Sequence, residues 1–268
     1  MRLRLALLIV LPALAALVYS FTATIALPED DKYKVIKVNG EIIVKRSGKA
    51  LVTGDELLAS TPLDFKTTES RAAVVSPTKG RFVLTAASQG GKTNLVPGMN
   101  NVASRSGALL NMIDLQNHFT GDYVILDRNM LKISKEAYPM DEKNFFFLRY
   151  VYNGETINKR LTFRGDSLSM ERAAIFTIDN KPVEVKDQLS CSLFYRVSES
   201  NENRLISSFT AVFPDLNALK SEFQIVFDNN AGKKTSEKVD EVMGYLTEFY
   251  GKADKDNLNR WLNSNFKF

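Results

Sequence analysis

Cysteine and histidine are nearly missing from this chain: Cys191 and His118 stand alone among 268 residues. A single thiol excludes an intrachain disulfide, so the fold must be held by core burial. One thiol and one imidazole also cannot supply the four ligands of a structural zinc site. Calcium would need clustered carboxylates. Glu29-Asp30-Asp31 and Asp254-Lys255-Asp256 are too sparse for that; the first reads as a solvated flank and the second as helix capping. A strong charge imbalance is lacking too, since Lys and Arg are interspersed with acids from end to end. Nucleic-acid binding, which needs basic residues gathered on one face, is therefore disfavoured.

What is present at the start is an export signal or membrane anchor over residues 1–26. Arg2 and Arg4 precede seventeen residues, Leu5 to Phe21, that carry no charge. A short basic region before an apolar run is the pattern of a signal peptide, with the positive charges held on the cytoplasmic side. Seventeen residues are short for a hydrocarbon layer of about 30 Å, and Pro12 weakens a permanent helix. Thr24 and Ala26 permit cleavage before Leu27, with Ala13-Leu14-Ala15 an earlier candidate. Cleavage is preferred to an uncleaved anchor, which would tether the chain to the membrane through residues 5–21. Without residues 1–26 the chain keeps 33 Lys+Arg against 31 Asp+Glu, so the basic pI carries little meaning.

Residues 27–87 read as a small all-β domain, with short strands about every ten residues. Lys34 to Val38 leads into Asn39-Gly40, a hairpin signal because both residues tolerate positive φ, and Glu41 to Val44 is expected to return beside it. Turns follow at Ser47-Gly48 and Gly54-Asp55. Ala72 to Val75 and Arg81 to Leu84 form strands around the turn Pro77 to Gly80. This series of glycine-punctuated hairpins, ending in Thr67 to Ser70, an alanine-rich strand, Gly80 and a last strand, resembles the extracytoplasmic β-domain of FecR-type proteins over residues about 33–87. A FecR sensor carries a cytoplasmic sigma-factor-binding segment ahead of its span. Only four residues precede the apolar run here, so the resemblance implies the extracytoplasmic module without the anti-sigma role.

Residues 88–121, with Gly90-Gly91 and Pro97-Gly98, read as a linker between two pieces that each have their own core. A short helix within it would carry Leu109, Leu110, Ile113 and Asn117 and stop at Gly121. Residues 122–232 read as a β-sandwich-like domain. Phe145 to Tyr152, apolar on both faces, is its central strand, lying beneath a cover formed by the C-terminal helices or by a partner. Asn153-Gly154 and Asp179-Asn180 are turns, and Pro182 marks an edge at Val183 to Val185. Asp215 caps a helix through Phe223; residues 233–268 are helical, with Ser236 capping one helix and Asp254 or Asp256 the next. The fold class is thus mainly β: a small all-β domain, a β-sandwich-like domain and C-terminal α-helices.

No catalytic, cofactor-binding or metal-ligating residue is assigned. Cys191 and His118 could form a nucleophile pair, but Cys191 lies in an apolar strand and His118 at a helix end, where packing and end-capping explain them. Gly90-Gly91-Lys92-Thr93 lacks the upstream glycine of a phosphate loop. Arg164-Gly165-Asp166 reads as a turn, and the C-terminal Phe266 to Phe268 as a hydrophobic clasp. The expected function is a non-enzymatic, exported envelope protein, periplasmic or anchored in the inner membrane facing the periplasm, that works by protein–protein contact. The rivals are a hydrolase with a diffuse Ser/Asp/Glu site and a glycan- or peptidoglycan-binding module.

Overall fold

The computed structural model describes residues 31–86, 93–99 and 108–267. Residues 1–26, expected as an export signal or anchor, and the Gly90-Gly91 pair lie outside the described residues. No described helix is long and apolar enough to cross a membrane. The fold is mainly β, with helices gathered at the C-terminal end.

Eight strands form the first half: β1 (Lys32–Asn39), β2 (Ile42–Val44), β3 (Lys49–Ala50), β4 (Glu56–Leu58), β5 (Leu63–Phe65), β6 (Arg71–Ser76), β7 (Gly80–Ala86) and β8 (Thr93–Pro97). They make an antiparallel sheet ordered β4-β1-β6-β7-β8 and a smaller one ordered β3-β2-β5. The hairpin expected at Asn39-Gly40 does not form. Beside that turn β1 pairs with β6, through Val38 with Ala72 and Asn39 with Arg71, while β4 pairs at the far end of β1 and β2 pairs in the other sheet. Gly40, at φ +75°, turns the corner between them, where a Cβ would lie 2.6 Å from Ser70 Oγ. The linker also needs correction: Thr93–Pro97 is no connector but strand β8, paired along β7.

The second half opens with α1 (Met112–His118), capped by Asn111, whose side chain accepts from the Asp114 amide. Its buried residue is Leu115, whereas the expected core positions Leu110 and Ile113 are exposed. A five-stranded sheet follows, ordered β12 (Glu155–Arg160), β11 (Phe145–Tyr152), β17 (Gln188–Val197), β18 (Glu202–Val212) and β9 (Asp122–Val124). Only β9 runs parallel to its neighbour. A three-stranded sheet of β10 (Arg128–Lys132), β14 (Ser167–Glu171) and β13 (Thr162–Arg164) packs against it. Asn153-Gly154, with both φ positive, turns β11 into β12 as their permissive backbones suggest. The run Ile175 to Ile178, ahead of the Asp179-Asn180 turn, is apolar at Ile175, Phe176 and Ile178 but is not one strand. It divides into a short helix α2 (Arg172–Ile175) and the strand β15 (Thr177–Ile178), which pairs with β16 (Lys181–Pro182).

Three helices end the chain: α3 (Leu216–Asp228), α4 (Thr235–Phe249) and α5 (Lys255–Asn265). Asp215 and Asp254 cap α3 and α5 through side-chain bonds to backbone amides. For α4 the cap position is Lys234, not Ser236; Glu237 reaches back to the Lys234 amide. Apolar residues at helical spacing, Leu219, Phe223 and Val226 on α3 and Val239, Val242, Met243 and Leu246 on α4, give each helix one buried face.

Separate cores were expected for the two halves, but one of the three clusters is shared. The first sheet buries Tyr33, Val35, Val74 and Leu84 against Ile42 and Leu63 of the small sheet. The second half buries Tyr123, Phe146, Leu148 and Phe209 between its own two sheets. The third cluster joins Ile36, Ala73, Val75 and Val83 of the first sheet and Val124 and Val212 of the second to the three helices. A bulge between Val35 and Lys37 aims Val35 and Ile36 at different clusters. The helices are thus a common layer serving both sheets, and β6 is buried along its whole apolar run because each of its faces is covered.

Candidate functional site

Along β11 the side chains alternate between two environments. Phe146, Leu148, Tyr150 and Tyr152 enter the core, while Phe145, Phe147, Arg149 and Val151 point to the opposite face. The helices cover that opposite face only at its β9 corner, through Val124 and Val212. At the β11 end it stays open, with Val151 59% and Leu205 51% exposed.

This part carries an interleaved set of aromatic rings and guanidiniums, in which Phe145 and Phe194 are half-buried and Phe147 is buried. Phe147 and Phe194, cross-strand partners, stack with centroids 5.1 Å apart and planes at 9°. Arg149 lies 4.6 Å above the Phe194 ring and 5.7 Å from Phe147, and Arg160 lies 4.2 Å from Phe145. Neutral acceptors hold these groups: Arg149 Nε donates to Asn158 Oδ1 at 2.8 Å, and Arg196 Nη1 to Asn203 Oδ1 at 3.1 Å. Arg160 Nη2 donates to the Asp141 carbonyl at 3.1 Å. Among the described residues, none of Arg149, Arg160 and Arg196 has a carboxylate partner. Stacking on rings contributes about 0.5–1 kcal/mol for each exposed cation–π contact. It orients the charges without neutralising them.

In the sequence Phe145 to Tyr152 reads as apolar on both faces, beneath a cover of C-terminal helices or a partner, and that reading does not separate the arginine-bearing face from the core face. The signal was there in the period-two series Phe145, Phe147, Arg149, Val151: a core-facing series would not carry arginine.

A polar seam runs beneath the shared helical layer. Glu222, buried on α3, accepts from Lys37 Nζ at 3.2 Å, Tyr245 Oη at 2.8 Å and Tyr250 Oη at 2.7 Å. Burial, then the neighbouring Glu222, pushes the Tyr250 hydroxyl far above the usual phenol range. On the other side Arg81, with a fully buried side chain, pairs with Glu248 on α4 and donates to the Met99 carbonyl at 2.6 Å. Its Nε lies 4.0 Å from Glu241, which in turn accepts from Lys233 at 2.9 Å. Charged groups so deeply buried cost desolvation that only their mutual pairing offsets. They fix the orientation of the first sheet on the helices.

Cys191 and His118 are not brought together. Cys191 lies in β17 opposite Tyr150 and Phe209, and burial pushes its thiol up to about 12, against nucleophilic use. His118 bonds through Nε2 to Tyr123 Oη at 2.9 Å and packs on Phe119, and burial, aided by Lys252, holds it down at about 4. Asn129 completes that group with Nδ2 at 3.4 Å from Tyr123 Oη and 2.9 Å from the Val124 carbonyl. Arg164-Gly165-Asp166 forms the exposed turn between β13 and β14. Phe266 packs on Phe227 and Trp261, whereas Phe268 lies outside the described residues. Among the described residues no three His, Cys, Asp or Glu side chains gather as metal ligands. The sequence matches no protein-family model and no curated protein, so the reading of its function rests on the chain's own chemistry.

Proposed function

We propose that this chain is a non-enzymatic protein of the cell envelope, exported by way of residues 1–26, that grips an acidic protein partner with the open face of its second sheet. In this reading the first sheet serves as a FecR-like extracytoplasmic module, docked rigidly on the helices by Arg81 and Lys37. The observation that carries it is the set Phe145, Phe147, Phe194 with Arg149, Arg160 and Arg196, bearing three oriented cations with no carboxylate partner among the described residues. Apolar surface rimmed by polar groups marks interaction sites, and arginine and aromatic residues dominate the binding energy of such sites. Uncompensated positive charge selects a partner of opposite sign.

The test places a photo-crosslinking phenylalanine analogue at Val151 in the full chain, in cells that export it, with Ser236 on α4 as the control position. Expected is a discrete protein adduct from position 151 alone, abolished by Arg149→Glu combined with Arg196→Glu. No adduct, an adduct indifferent to those reversals, or an adduct to nucleic acid would overturn the reading.

A further inference from the structure

A crevice of about 520 Å³ opens where the first sheet, the second sheet and the helices meet. That size falls within the range of about 300–1,000 Å³ typical of small-molecule sites. Its charges are sorted by element. Lys37 and Arg71, from β1 and β6, supply a basic wall, and Asp122, Asp187, Asp215 and Glu248, from the second half of the chain, supply an acidic one, with Glu248 already paired with Arg81. Between them lie the apolar surfaces of Phe213, Pro214 and Phe249.

The groups differ in how far they are already committed. Lys37 is held by Glu222 and Tyr250, and Asp215 caps α3. By contrast, the side chains of Arg71, Asp122 and Asp187 make no hydrogen bond or ion pair with any described residue, although Asp187 lies within electrostatic reach of Arg172, whose Nη1 donates to the Pro214 carbonyl. Arg71 is instead braced with its guanidinium 4.9 Å from the Phe249 ring centroid, which fixes its direction and leaves its donors free. A planar fork of free donors suits a carboxylate, and opposed free carboxylates suit an ammonium group.

We propose that this crevice binds an amino acid or short peptide with both termini free. Its carboxylate sits at Arg71 beside Lys37, its ammonium faces Asp122 and Asp187, and its side chain lies on the Phe213 and Phe249 surface. A monoanion would meet the acidic wall and a cation the basic one, so a dipolar ligand is selected over either. Because the walls belong to different sheets, the ligand would also brace the two halves against each other. The site shares no residue with the phenylalanine–arginine cluster of β11 and β17, so it stands or falls independently of the partner-binding reading.

The test is thermal shift and titration calorimetry of the full-length chain at low ionic strength. The probes are the twenty free amino acids together with dipeptide and tripeptide libraries, followed by the N-acetylated and C-amidated forms of each binder. Expected is saturable binding of at least one free-terminus member that raises Tm. It should weaken at least tenfold on N-acetylation, on C-amidation and in Arg71→Gln, with Asp187→Asn as a second variant should Arg71→Gln misfold. The proposal is overturned if no probe binds the wild-type chain, if a blocked form binds equally well, or if binding survives both substitutions.

Discussion

Gly244 lies in the middle of α4, where glycine costs about 1 kcal/mol relative to alanine. Intrinsic propensity therefore says that Gly244→Ala should stabilise the protein. The packing says the reverse. A Cβ at this position would lie 2.2 Å from the Met99 carbonyl oxygen and 2.8 Å from Arg81 Nη2. The guanidinium could shift, but the carbonyl belongs to the backbone. Either the strand end or the helix must move, and movement there breaks the Arg81 bond to Met99 and disturbs the Glu248 pair. Overpacking of this kind costs about 1–3 kcal/mol. Added to that is the penalty for a buried charge left short of a partner, about 1–3 kcal/mol. Set against the helix gain, the expected net loss is about 1–5 kcal/mol, or about 2–20 °C in Tm for a chain of this size. Differential scanning calorimetry of wild type, Gly244→Ala and Gly232→Ala reads it directly. Gly232 has nothing within 4 Å of its Cβ position and should change little. A Gly244→Ala protein that melts higher than wild type would show that Arg81 and Met99 do not hold the first sheet against the helix.

Two further outcomes follow from the same geometry. His118 is held at about 4 in the folded protein by burial, against about 6.5 when unfolded. The unfolded chain therefore binds the extra proton first as pH falls. Stability should drop by up to about 3 kcal/mol between pH 6.5 and 4 and level off below; His118→Gln should flatten that segment of a urea-midpoint profile, and an unchanged slope would refute the assignment. Residues 108–268 produced without the first sheet should lose the full chain's cooperative melt and bind a hydrophobic dye, because Val239, Phe223 and Leu246 would lose the cover of Ile36, Ala73 and Val75. A fragment with the full chain's Tm would show that the shared cluster is dispensable.

What could be read in the sequence, and what could not, separates along a physical line. Local chemistry was legible: Asn153-Gly154 and Asp179-Asn180 turn hairpins because their residues tolerate positive φ, and Asp215 and Asp254 cap helices because their oxygens reach free amides. Asn39-Gly40 carries the same signal but yields no hairpin, because the choice of partner for β1 lies with β4 and β6, distant in the chain. The shared core was half-legible. Ala72 to Val75 is apolar at four consecutive positions, so neither face of β6 could be left to solvent. A strand on the rim of an independent small domain would alternate, and this one does not. Missing from the sequence was the identity of the cover, since Phe223 and Val242 lie far along the chain and only topology brings them there. The surfaces proposed for binding were least legible for the same reason. Arg149 and Arg196 are 47 positions apart and acquire a common purpose only when β11 and β17 pair, with Phe147 against Phe194. In this fold the turns are local and the proposed binding face is a product of register. A slip of one residue between β11 and β17 would turn Phe194 into the core and expose Leu193, removing the arginine–phenylalanine face without changing a residue.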